Sequence, residues 1–177
     1  TVTFNDGLHE GALVKFTTAI SNTGNSLDAS AVSYTPDGTG AVTTNVQTKL
    51  REYISVKDFG AVGDGTTDDT TAIQAAVDSL VDGGTLYFPI GIYISSTLTI
   101  CNDGLRIVGA GVNATTLKLK DATYDNFIYF DQVDGGEFAN ITIDGNRANN
   151  SSGIDKSALL IAGSTNFFAH DFFIKDF

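Results

Sequence analysis

Short runs that alternate apolar and polar residues fill the chain from residue 85 onward, with Gly, Asn and Asp clustered between them. Such alternation predicts strands with one buried face, and the clusters predict turns. No second helical pattern interrupts the series. The predicted strands span 85–88, 96–100, 105–110, 115–120, 126–130, 139–144, 158–162 and 170–177.

Two of these strands overlay at an offset of 31 residues, with Ile141 on Phe172 and Ile143 on Ile174. The offset includes a polar insertion, GNRANNSSG. Irregular repeats of short strands with loops of variable length predict a mostly β protein built as a β-solenoid. A Greek-key sandwich also has many short strands, but it explains the helix before them less well.

A helical pattern precedes the first predicted strand and indicates a helix over about 68–82. Thr67 or Asp68 is expected to cap its start, and the acidic pair Asp68 and Asp69 suits the positive end of the helix dipole. Because the first strands of a solenoid leave an open edge, a helix at this point is predicted to be a capping helix. Its apolar positions are Ala72, Ile73, Ala76, Val77 and Leu80, and Gly83 with Gly84 supplies the stop.

A shorter segment, 42–53, has an apolar residue at every fourth position and predicts a short helix with a narrow stripe of Val42, Val46 and Leu50. Isolated helices of this length are marginal in water, so the stripe needs a partner surface. Two partners remain open: the stripe packs on its own chain, or three copies meet at a symmetry axis. Residues 1–40 are too short and too polar to make a large core.

The loop before the first helix, VKDFGAVGDGTTDD, combines glycines with aspartates. It lacks the order of a phosphate loop and carries carboxylates instead of a lysine, so we expect it to repel anions. We predict that the glycines adopt positive backbone angles and that the aspartates cap turns and the helix. A cation site is the alternative, although the pattern of a calcium loop is absent. The residues concerned are Gly60, Gly63, Asp64, Gly65, Asp68 and Asp69.

Charge and composition narrow the classes of partner. The formal net charge of −11 argues against nucleic acid and against anionic membranes. No window is apolar enough for membrane insertion, and a single cysteine, Cys101, excludes an intrachain disulfide. We expect no cofactor and no metal. Because the chain starts at Thr1, contains no Met and stops inside an apolar run, we expect a piece of a longer protein.

Three polar residues are candidates for polysaccharide chemistry. Glycoside hydrolysis needs two carboxylates across a groove, and a lyase needs a base and a group that neutralises a uronate. The candidates are Asp144 and Arg147, in IDGNR, and Asp171. The overlay places Asp144 near Lys175 or Asp176. Since Asp144 and its neighbours are also ordinary turn formers, we expect no catalytic residue in this chain.

Aromatic and imidazole side chains are the remaining candidates. Phe in strands mostly fills the interior, so Tyr87, Tyr93 and Tyr124 are better candidates for sugar contacts. The two histidines, His9 and His170, offer no base with an orienting partner.

Several of these motifs together carry a family resemblance. VKDFGAVGDGTTDDTTAIQAA, GGTLYFPIGIY and LRIVGAG resemble the opening of the pectate-lyase-like superfamily, which includes polygalacturonases and many bacteriophage tailspikes. The resemblance covers about 56–177 and implies a right-handed, single-stranded parallel β-helix, of which this chain holds the start. In that superfamily later rungs usually build the groove, which again implies that the catalytic residues lie elsewhere.

The segment SYTPDGTGAVTTNVQTKLREYISVKDFGA resembles the neck that joins a virion-binding region to the β-helix in phage tailspikes. This resemblance implies a homotrimer in which Val42, Val46 and Leu50 face the threefold axis. It implies three regions: a virion-proximal region at 1–40, a neck helix at 41–55 and the first rungs of the β-helix at 56–177.

The function implied is that of a phage tailspike. Such a protein is attached to a tail or baseplate protein of the virion, assembles in the host cytoplasm, and binds and degrades bacterial capsule or O-antigen. Two alternatives stay open: a free pectinase-like hydrolase or lyase of the same fold, and a non-enzymatic tail adhesin or connector.

Overall fold

The computed structural model describes residues 28–123, 125–150 and 157–177. Most of the region predicted for residues 1–40, together with His9 and Tyr124, lies outside the described residues. In the part of the chain that is described, no helix is long and apolar enough to cross a membrane.

Most of the described chain is organised in short strands. In chain order they are β1 (Ser33–Tyr34), β2 (Thr44–Asn45), β3 (Tyr53–Ser55), β4 (Asp64–Asp68), β5 (Gly84–Phe88), β6 (Gly91–Ser95), β7 (Leu98–Ile100), β8 (Leu105–Gly109), β9 (Thr115–Leu119), β10 (Ile128–Asp131), β11 (Glu137–Ala139), β12 (Thr142–Asp144), β13 (Leu159–Ala162), β14 (Phe168–His170) and β15 (Phe173–Lys175). The helices are α1 (Val46–Leu50) and α2 (Thr70–Asp78), with 3-10 turns at Ala29–Ala31 and Val56–Phe59.

Thirteen of these strands form three parallel sheets. Sheet A contains β3, β5, β8, β11 and β14; sheet B contains β4, β6, β9, β12 and β15; sheet C contains β7, β10 and β13. From β5 onward the chain visits A, B and C in turn, and we call each such circuit a coil. Neighbouring coils pair strand on strand in parallel register. The fold is therefore a parallel β-helix, as predicted.

The register confirms the overlay that was read from the sequence. Ile143 of β12 pairs with Ile174 of β15, at the predicted offset of 31 residues. The two predicted strands 139–144 and 170–177 each divide into two, because a residue with positive φ breaks the strand. These residues are Asn140 (φ 60°) and Asp171 (φ 50°), types that tolerate the left-handed conformation.

Helix α2 begins later than predicted because Thr67 and Asp68 belong to strand β4, which pairs with β6. Asp69 occupies the N-cap position, but its side chain makes no capping bond. The Asp69 carboxylate instead accepts hydrogen bonds from the amides of Val62 and Gly63, at 2.7 and 3.0 Å. The rule for N-caps considers only residues next to the helix start, whereas here the donors to Asp69 come from the preceding loop.

Helix α2 lies beside β7, at the edge of sheet C. Its apolar face, with Ile73, Ala76 and Val77, is buried in the core. The Gln74 side chain accepts from the amide of Thr99 and donates to its carbonyl, at 3.1 and 2.8 Å. The helix thus satisfies backbone groups of β7 that would otherwise lack a neighbouring strand.

The interior of the β-helix is filled by inward-facing side chains stacked from coil to coil. Leu86, Ile107 and Phe138 are in register across sheet A and are at most 3% exposed. The Phe138 ring meets Phe130 and Phe172 edge to face, with centroids 6.3 and 6.0 Å apart. The alternation in the sequence places these residues inward because successive side chains of a strand point to opposite faces.

The helix predicted over 42–53 is much shorter than its apolar stripe suggested. Asn45 begins it, because its side-chain oxygen accepts from the Thr48 amide at 2.8 Å. Val42 precedes the helix, in the loop between β1 and β2, and β3 soon follows because it pairs with β5. In the single chain Val46 is half-buried, whereas Val42 and Leu50 are exposed.

Candidate functional site

The outward face of sheet C carries a tyrosine and an aspartate two residues apart on β10. Tyr129 is in register with Thr99 and Leu160, and Asp131 with Ala162. The neighbouring Asp131 carboxylate raises the pKa of Tyr129 above its ordinary value. The pair offers an aromatic ring beside a carboxylate that can accept hydrogen bonds.

Two connections of the chain lead into sheet C, one from β9 to β10 and one from β12 to β13. Asparagine side chains tie the two together. Asn146, itself buried, donates to the carbonyl of Leu119 at 3.0 Å and to Asp121 Oδ1 at 2.7 Å. Asn150 donates to the Lys120 carbonyl at 3.1 Å. These contacts hold residues 119–121 of the first connection against residues 146–150 of the second.

Two of the predicted candidates lie at this corner. Asp144 ends β12, and its Oδ2 lies 3.0 Å from Lys175 Nζ, one coil away, as the overlay predicted. Its Oδ1 accepts from the Asn146 amide at 2.9 Å. Arg147 follows on the exposed turn, anchored by a bond from its amide to the Asp176 carbonyl at 3.0 Å. The Asp144 contacts position the turn, and its polar partners are an ammonium and an amide.

The third candidate, Asp171, lies at the opposite end of sheet B from Asp144. It occupies the turn between β14 and β15, and its carboxylate lies 2.9 Å from His170 Nδ1. His170 Nε2 lies 3.3 Å from Glu137 Oε1. The expectation that His170 lacks an orienting partner was therefore wrong, since neighbours from its own coil and the preceding coil flank the ring. The structure does not bring Asp171 to Asp144.

The glycine- and aspartate-rich loop is tied to its own backbone. Gly60, Gly63 and Gly65 all have positive φ, at 94°, 68° and 77°. A side chain on Gly63 would also collide with the Tyr93 ring, because a Cβ there would lie 2.6 Å from it. The Asp64 carboxylate accepts from the amides of Thr66 and Thr67, and these bonds hold its pKa well below its usual range.

The other carboxylates of the loop also have internal partners. The Lys120 ammonium, 2.6 Å from Asp68, is the main cause that lowers the pKa of Asp68 to about 2. Asp69 is bonded to the loop, as described above. Within 28–123, 125–150 and 157–177, no three His, Cys, Asp or Glu side chains are grouped as they would be around a metal ion.

Of the tyrosines expected to contact sugars, Tyr93 lies in the interior and Tyr87 on the surface. Tyr93 is fully buried, its hydroxyl donates to the Pro89 carbonyl, and burial raises its pKa to about 12. Tyr87 is half-buried on the outward face of sheet A, where its ring lies 5.4 Å from that of Tyr53. The sequence did not single out Tyr129 as a candidate for sugar contacts. The alternation in IYFD was the available signal, because it puts Tyr129 and Asp131 outward.

Comparison with known proteins gives a family for the β-helix. The family model described as "Rhamnogalacturonase A/epimerase, pectate lyase-like" matches residues 53–167. Mannuronan C5-epimerase AlgE1 of Azotobacter vinelandii is 40% identical over 116 residues, which are 57% of this chain and 8% of the epimerase.

Two phage proteins are similar as well. The tail spike protein of Shigella phage Sf6 is 36% identical over 126 residues, 65% of this chain and 20% of the tail spike. The solved structure of ORF18 of Geobacillus virus E2 has a TM-score of 0.57 and 26% identity, and the match covers 81% of this chain and 32% of ORF18. The chain thus spans a minor part of each of these proteins.

Proposed function

Because the chain belongs to the rhamnogalacturonase A/epimerase, pectate lyase-like family, we propose that it is part of a phage tail spike that binds and degrades a bacterial surface polysaccharide. The observation that carries the proposal is how much of this chain the similarity to the viral protein ORF18 covers. It covers 81% of 177 residues, about 143, whereas Tyr53 to Phe177 comprises only 125. The similarity to ORF18 therefore includes residues that precede the β-helix.

In this proposal the segment before Tyr53 serves attachment and assembly. Residues 1–40 lie next to the virion and contact a tail or baseplate protein, and the tail spike assembles in the host cytoplasm. Val42, Val46 and Leu50 face a threefold axis in a homotrimer. The exposure of Val42 and Leu50 in the single chain supports this arrangement, since exposed large apolar side chains are typical of protein contacts. Helix α2 acts as the cap of the first coil.

The glycan is proposed to lie along the outward face of sheet C. Tyr129 offers a ring on which a sugar stacks, and Asp131 accepts hydrogen bonds from sugar hydroxyls. Asp144, Arg147 and Asp171 are assigned no catalytic part, because no two of them oppose each other as a hydrolase pair must. Cleavage is thus proposed for the whole protein, and a glycan contact for this chain.

A panel of purified capsular and O-antigen polysaccharides tests the glycan site, with the full chain as the binding partner. We expect binding to at least one glycan and a loss of about tenfold or more in Tyr129→Ala. Tyr53→Ala is the matched control, because Tyr53 is an exposed tyrosine on sheet A. Equal losses in both variants, or no binding across the panel, would contradict the proposal.

A second candidate is a free enzyme acting on a polyuronate. It is favoured by the 40% identity to a mannuronan C5-epimerase, which exceeds the identity to the tail spike. Binding to mannuronan together with a monomeric mass would support this candidate over the tail spike.

A further inference from the structure

Four charged or titratable side chains form a line across three coils on the outward face of sheet A. Arg106 Nε on β8 lies 2.6 Å from Glu137 Oε2 on β11. The other oxygen of Glu137 lies 3.3 Å from His170 Nε2 on β14, and His170 Nδ1 lies 2.9 Å from Asp171 Oδ2. The glycan face on sheet C contributes nothing to this line.

The geometry requires a particular protonation state of His170. Each ring nitrogen faces a carboxylate oxygen, and a carboxylate can only accept. A neutral imidazole has one N–H, so it would turn a lone pair toward one of the two carboxylates. Only the imidazolium donates to both. The contact with Asp171, followed by that with Glu137, accordingly raises the pKa of His170.

The groups facing His170 come from the preceding coil and from its own turn. From β11 the facing group is Glu137, whose pKa is lowered chiefly by the Arg106 guanidinium on β8. From the turn after β14 it is Asp171. The ring therefore contacts both coils, through Glu137 of the preceding coil and Asp171 of its own.

We propose that His170 is a proton-operated clasp that fastens β14 to β11 in weakly acidic solution and loosens as the solution becomes alkaline. A group whose pKa is raised on folding contributes stability that is fully present below its unfolded pKa and lost as the pH rises through the folded one. For His170 this stabilisation is complete below pH 6.5 and is lost as the pH rises through the folded pKa, which lies above 6.5. Glu137 sets the lower limit. Its lowered pKa gives a contribution present above 4.5 and lost as the pH falls through the folded value.

Nuclear magnetic resonance titration of the full chain tests the clasp directly. The chain has two histidines, so His170→Gln identifies the His170 signal. We expect a midpoint above 6.5 that falls in Glu137→Gln and in Asp171→Asn, each with a loss of proton affinity of about twofold to fivefold. Glu52→Gln is the matched control, because Glu52 pairs with Lys49 instead, and it should leave the midpoint unchanged. A wild-type midpoint at or below 6.5 would overturn the proposal.

Amide hydrogen exchange tests whether the ion pairs of His170 also hold strand β14 to strand β11. The bonds from Phe168 N to the Gly136 carbonyl and from Asn140 N to the Asp171 carbonyl join the two coils. After correction for intrinsic rates, their protection in the wild type should fall between pH 6 and 9 by about twofold to fivefold for each of the two carboxylates that face His170. In His170→Gln the protection should be low and independent of pH. The same pH dependence in both proteins would refute the clasp.

Discussion

Residues 28–52 and the β-helix that follows both contain apolar stripes, but only the β-helix buries them within the chain. Val42 and Leu50 are 78% and 62% exposed, whereas Ile73 and Leu86 are fully buried. In the β-helix each coil packs on the next one, and their strands pair. Between residues 28 and 52 the strands are two residues long and form a single antiparallel pair. The difference teaches that an apolar stripe predicts a packing contact. The surrounding fold decides whether the partner surface comes from the same chain.

The largest expected effect comes from emptying the core of the second region. Phe138→Ala removes a ring that contacts Phe130 and Phe172, and we expect the free energy of unfolding to fall by about 3–5 kcal/mol. Urea denaturation measures the change. Val42→Ala is the control from the first region and should leave the unfolding of the β-helix almost unchanged, because Val42 lies outside its core. Similar costs for both substitutions would remove the contrast between the regions.

A moderate effect is expected in the loop that precedes helix α2. Asp69→Ala removes a buried carboxylate and leaves the amides of Val62 and Gly63 without their acceptor. Unsatisfied donors of this kind cost about 1–3 kcal/mol. The variant should therefore unfold at lower urea concentration. Asp64→Ala, which removes a carboxylate that bonds amides at an exposed turn, should cost clearly less, and the reverse order would show that the Asp69 contacts are not structural.

The smallest effect has the opposite sign. Ser95 Oγ is buried, and among the described residues it has no hydrogen-bond partner. Ser95→Ala removes this unsatisfied hydroxyl, and we expect the free energy of unfolding to rise by up to about 1 kcal/mol. Ser79→Ala is the matched control, because it deletes a hydroxyl that donates to the Ala76 carbonyl at 2.8 Å. A loss of stability in Ser95→Ala would point to a partner for Ser95.

Sequence patterns predicted the repeating part of the fold because its physical cause is local and periodic. Alternation fixed the inward faces, and the 31-residue overlay anticipated the contact between Asp144 and Lys175. Sequence patterns failed where the contacts of a side chain depend on an element that is outside its own helix or strand. Asp69 was expected to serve its own helix, and only the folded loop shows the amides that it accepts from.

The candidate site shows the same limit. Tyr93 and Tyr129 both lie on strands, yet one is buried and the other faces outward. The alternation distinguishes them once the strands are correctly bounded, but β6, which contains Tyr93, was not predicted. Asp171 is adjacent to His170 in the sequence, but the other partner, Glu137, could not be found from the sequence, because it is 33 residues away and the coil register brings it close.

The mass of the full chain in solution, measured by light scattering, tests most directly whether the exposed stripe of the first region awaits other copies. We predict three times the mass of a single chain, and a single-chain mass with unchanged thermal unfolding of the β-helix in Leu50→Asp. Ile90→Asp is the control, because Ile90 is 73% exposed on a turn of the β-helix, and it should remain trimeric. A wild-type protein with the mass of one chain would contradict the account.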